Sequence, residues 1–175
     1  MAHRHVIAAA AASALLGAGG QAAAADATAT ASVELINLQE IYVSKVSDIS
    51  FGTILKPTSG ILEVTIEPGG GRSASGGAGG ELIGAGSSSA RFDVGGDGGR
   101  TFTITLPPSV TLTKSGGGAN RQLTLSPEAS TTDTLSGTSG QFGAKQIEVT
   151  GSLEIPSTVE SGAYAGHVPV TVAYQ

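Results

Sequence analysis

Cysteine and tryptophan are absent from the 175 residues, and there are only three tyrosines and four phenylalanines. Without cysteine there is no disulfide to supply its typical ~2–4 kcal/mol. The same absence removes cysteine-based metal sites and Cys–His nucleophile pairs. The few aromatic residues cannot form the two interfacial girdles that an outer-membrane barrel needs. Basic residues are also few, nine against fourteen acidic ones, so nucleic acid is not an expected partner. Helical periodicity is missing as well, since no segment repeats its apolar positions every three to four residues over the length a helix requires.

What is present begins with a leader. His3, Arg4 and His5 precede the alanine-rich apolar run Val6–Leu16, which Gly17, Gly19 and Gly20 then break. Ala23, Ala24 and Ala25 are small enough for a signal peptidase. The run is much shorter than the roughly 20 residues that cross a bilayer. The pattern predicts a cleaved signal peptide over 1–25, export, and no membrane span afterwards. One mature domain is expected over 26–175. Loss of Arg4 leaves eight basic against fourteen acidic residues, a net charge of −6.

The mature chain alternates with period two, the mark of half-buried strands. Ile61–Glu67 places Leu62, Val64 and Ile66 on one face. Ala90–Val94 and Arg100–Leu106 flank Gly95-Gly-Asp-Gly-Gly99 and are expected to form a hairpin. Ala144–Ile155 is the longest candidate, with Ile147, Val149, Leu153 and Ile155 inward. Residues 38–46 are expected as strand because of Val43 and Val46. Residues 68–80, which are nearly all Gly, Ser and Ala, are expected to be a mobile loop. Val168, Val170, Val172 and Tyr174 alternate at the C-terminus behind Gly162, so a last strand near Ala144–Ile155 is expected to bury them. Seven to nine short strands separated by turns predict an all-β fold, an antiparallel β-sandwich of the immunoglobulin-like kind.

Chemistry is scarce. His167 is the one histidine outside the leader, and its parity places it opposite Val168, on the outward face. Residues 68–80 lack the lysine and following helix of a phosphate-binding loop. Asp93 and Asp97 lie among glycines but without the repeat of calcium-binding turns, so Asp97 is read as a turn former. Glu148 and Glu154 lie six residues apart on one strand, about 20 Å, too far for a glycosidase pair. Both are read as a solvated face. No catalytic residue, cofactor or metal is expected, and the chain is not expected to be an enzyme.

The combination of Phe51-Gly52-Thr53, Ala90–Gly95, Phe102–Pro107 and Gly162–Gly166 leading into Val170–Tyr174 resembles the secreted bacterial domain-of-unknown-function family forty-four-oh-two. The same ending is similar to subunits of chaperone–usher pili and to spore-coat-protein-U-like domains, in which an aromatic residue is next to last and a glycine fourteenth from the end. That resemblance implies a sandwich completed by strand addition. A periplasmic chaperone, and later another subunit delivered to an outer-membrane usher, would pair at Gly162, Val168, Val170, Val172 and Tyr174. Residues 26–35 fit the donor strand, with Ala27, Ala29, Ala31, Val33 and Leu35 on one face. The alternatives are that 27–35 is the first strand of a complete domain, and that the sandwich binds a surface glycan or matrix ligand.

Overall fold

The computed structural model describes residues 29–35, 37–114, 116 and 122–175. The leader expected over 1–25, and Ala27 of the candidate donor, lie outside them. The chain divides into two units, 1–34 and 35–175, and every strand among the described residues belongs to the second. The described residues contain no helix.

Thirteen strands among the described residues form antiparallel sheets, more than the seven to nine expected, because residues 72–78 and 81–88 add two strands and two more are only two and three residues long. They are β1 (Tyr42–Ser47), β2 (Ser50–Leu55), β3 (Ser59–Ile66), β4 (Arg72–Ala78), β5 (Glu81–Ser88), β6 (Ala90–Asp97), β7 (Thr101–Thr105), β8 (Val110–Lys114), β9 (Gln122–Glu128), β10 (Thr132–Thr134), β11 (Phe142–Pro156), β12 (Tyr164–Ala165) and β13 (Thr171–Tyr174). The main sheet runs β1-β6-β11-β9-β8-β12, and β3 pairs with β11 and carries β4. Two smaller sheets, β10-β7-β13 and β2-β5, complete the sandwich.

β11 organises these layers. Phe142–Val149 pairs with β6, whereas the strand beyond Val149 is flanked by β9 and β3. Two core clusters follow from this change of partners. Around the C-terminal half, Leu153 and Ile155 pack with Phe51, Leu62, Val64, Ile66, Leu125 and Val159. Around the N-terminal half, Ile147 packs with Val94, Phe102, Ile104 and Leu135. The inward faces read from the alternation at Leu62/Val64/Ile66 and at Ile147/Val149/Leu153/Ile155 are all buried. Each such side chain contributes about 1.5–3 kcal/mol.

Three expectations are corrected. The hairpin across Gly95–Gly99 does not form, because β1 and β11 already occupy both edges of β6. β7 therefore crosses to the opposite layer and pairs with β10 and β13. The expected glycine-rich loop is instead β4, hydrogen-bonded to β3 from Ser59 to Ile66. Its ladder needs backbone and little side chain: a Cβ at Gly77 would lie 2.8 Å from Leu62 Cβ. Finally, the C-terminal strand pairs with β7 and not with β11.

Asp97 ends β6 fully buried and acts as a hub. Its carboxylate accepts from the Gly140 N–H (2.7 Å), the Ser139 hydroxyl (3.0 Å) and Arg100 Nε (3.2 Å). The Gly140 bond leads in holding its pKa below the ordinary 3.8, against the opposing effect of burial. Glu148 is likewise more than a solvated carboxylate. It accepts from Ser89 Oγ and from the Gly69 N–H (2.7 Å), and these bonds, the Ser89 one first, lower its pKa from 4.5. Since both folded values lie below the unfolded ones, both groups stabilise the fold above about pH 4.5 and lose that contribution as pH falls through the folded values. A melting temperature that declines steeply on acidification below pH 4.5, with a shallower decline in Asp97→Asn, is the expected result of thermal scans across pH.

Candidate functional site

An apolar groove of about 650 Å³ opens beside the first core cluster. Its floor includes Leu125, Leu153 and Ile155, and its walls are the 45–56 segment and the 159–168 segment. Both walls carry strands that lack a neighbour on one side. Among the described residues β2 pairs only with β5, and β12 only with β8. The site therefore combines apolar side chains with backbone groups on single-sided strands, the two elements that strand addition uses.

Local chemistry holds each wall in place. At Phe51-Gly52-Thr53 the β2–β5 register shifts, with Gly52 at a φ of 67°, a backbone conformation suited to glycine. Arg72 of β4 fills the irregularity. One guanidinium nitrogen donates to the Phe51 and Thr53 carbonyls, and the other to those of Ile83 (2.9 Å) and Gly84 (2.8 Å). Lys56 Nζ then bridges the end of β2 to the carbonyls of Ser157 (3.1 Å) and Val159 (2.9 Å) on the opposite wall. That wall is pinned by Lys114, which contacts Glu160 Oε2 (3.1 Å) and the Ser161 carbonyl (2.7 Å), and by Tyr164 Oη donating to the Glu160 carbonyl (2.6 Å).

The residues anticipated for pairing divide between two places. Gly162 and Val168 line the groove, and Val168 packs on the first core cluster. Val170, Val172 and Tyr174 pack on the second. All four side chains, 168 to 174, face inward as their parity requires and are half-buried, and among the described residues β13 pairs with β7 alone. Pro169 precedes the ladder, which begins at Thr171, so its missing N–H breaks no bond within β13. Tyr174 is the best-anchored residue of this end. Its hydroxyl accepts from the Asp97 N–H (2.5 Å) and donates to the Gln39 carbonyl (2.7 Å). His167, on the exposed side, also lines the groove.

Of the candidate donor, Ala29, Ala31, Val33 and Leu35 are described. They form no strand, and Val33 and Leu35 are 84% and 90% exposed. Among the described residues no three His, Cys, Asp or Glu side chains converge as a metal site would require.

The model of the family described as "Domain of unknown function (DUF4402)" matches residues 41–174. The chain belongs to this family. The DUF4402 match spans β1 to β13, including both groove walls and the last strand, and begins after the exposed 29–40 segment. No curated protein matches the chain, and neither does any solved structure.

Sequence reading missed the groove itself. Its floor and walls come from Phe51, Ile54, Leu125, Leu153 and Tyr164, which lie far apart in the chain. The one local signal was Phe51-Gly52-Thr53, a glycine between two strand formers, which marks the β2 irregularity.

Proposed function

We propose that this chain is an exported structural subunit of a fimbria-like surface fibre or layer, joined by strand addition and not acting as an enzyme. In this reading the alternating segment 27–35 of one copy enters the groove of the next, with Val33 and Leu35 replacing water against the apolar floor. A periplasmic chaperone would occupy the same region before an outer-membrane usher passes the subunit on. The observation that carries the reading is the pairing of unlike halves. An apolar groove flanked by single-sided strands occurs in the same chain as an alternating segment whose large apolar side chains are exposed.

A purified mature chain is expected to form concentration-dependent oligomers, and deletion of residues 26–35 to leave a monomer with the parent melting temperature. A parent that stays monomeric at high concentration, or a deletion that unfolds the domain, contradicts the proposal. The second of those outcomes would make 27–35 part of a self-complete sandwich.

A further inference from the structure

The outer face of β1, β6 and β11, on the opposite side of the main sheet from the cores, is built in three cross-strand rows. The first contains Tyr42, Gly95 and Ala144, with Phe142 just beyond. Ser44, Asp93 and Gln146 form the second, and Arg91 beside Glu148 the third. We propose that this face binds a neutral carbohydrate, a β-linked hexopyranose chain with equatorial hydroxyls, with Tyr42 and Phe142 as its stacking platform.

The rings of Tyr42 and Phe142 lie 6.2 Å apart, with their planes inclined by only 17°. They nevertheless remain 50% and 59% exposed. The Tyr42 ring reaches across the ladder onto Gly95, where a Cβ would sit 2.5 Å from its Cζ. Glycine at this position lets the ring lean over the sheet. The apolar face of an all-equatorial pyranose presents C–H groups with partial positive charge, which suit the negative face of an aromatic ring.

The second row supplies what the sugar's edge needs. Gln146 Nε2 donates to Asp93 Oδ1 at 2.9 Å, and Ser44 Oγ lies 3.5 Å from the Asp93 carbonyl. An amide, a carboxylate and a hydroxyl are thus held on paired strands, and between them they can donate to and accept from sugar hydroxyls.

A sugar suits the pairing of an exposed aromatic platform with an adjacent row of polar side chains. The strand-addition groove is not involved in this proposal, so each stands or falls alone.

The test is titration of cellohexaose and chitohexaose into the full mature chain, followed by NMR of the tyrosine and phenylalanine rings. At least one saccharide is expected to shift the Tyr42 and Phe142 signals. Tyr42→Leu, which keeps an apolar cover over Gly95, and Phe142→Leu are each expected to weaken binding about tenfold with the melting temperature retained. The proposal is overturned if neither saccharide shifts these rings, or if the variants titrate like the parent. It is equally overturned if the rings respond only to protein concentration, which would make the face a contact between copies.

Discussion

Tyr174→Ser is expected to lower stability by about 3 kcal/mol, the low end of the range for removing a large aromatic side chain from a core, because the ring is half-buried. Two losses coincide at this residue. The ring packs on the second core cluster with Val170 and Val172. The hydroxyl joins β6 to the 37–41 segment, through the Asp97 N–H and the Gln39 carbonyl. Gly96 is part of the same fit, because a Cβ there would collide with the Tyr174 hydroxyl. Tyr174→Phe separates the two losses. It keeps the ring and removes only the hydroxyl's two hydrogen bonds, at a cost of about 1–3 kcal/mol. Denaturant midpoints for the two variants measure the difference, with Tyr174→Ser the lower. Equal midpoints would show that the ring contributes nothing beyond its hydroxyl.

Val33→Asp combined with Leu35→Asp is expected to act on assembly and leave the subunit intact. Both native side chains are exposed in the single chain, so neither substitution opens a cavity and the melting temperature stays at the parent value. In the joined state each side chain is expected to lie against apolar floor. Losing a buried Val or Leu forfeits about 1.5–3 kcal/mol, and a carboxylate without a partner there adds a desolvation cost. A loss of only 3 kcal/mol is already more than about 100-fold in affinity. Sedimentation of parent and variant across a concentration series reads this directly. An unchanged association constant would remove residues 27–35 from the joint.

Much of this architecture was legible in the sequence because a strand reveals its inward face through a period of two. Leu62, Val64 and Ile66, like Ile147, Val149, Leu153 and Ile155, needed nothing more. Pairing was harder to read, because alternation says which face is buried but not which strand lies alongside. β6 and β7 have the composition of a hairpin, yet occupancy of both β6 edges sends β7 to the other layer. β4 was hidden because a ladder made largely of Gly, Ser and Ala has the composition of a linker. Arg72 was hidden with it: four carbonyls gathered from two other strands have no signature around residue 72 itself. The terminal strand showed its parity but not its partner. Gly162 and Val168 belong to the groove, while Val170, Val172 and Tyr174 belong to the second core cluster.

The absence of cysteine makes the central claim directly measurable by crosslinking. Copies carrying Val33→Cys or Leu35→Cys are mixed with copies carrying Ile54→Cys or Val168→Cys, which place thiols on opposite groove walls. Mild oxidation joins only thiols whose Cβ atoms come within about 4.5 Å. Strand addition predicts mixed disulfide dimers between the two kinds of copy, suppressed by an excess of unmodified chain. Failure of every such combination to yield a mixed dimer, at concentrations where the parent associates, would contradict it.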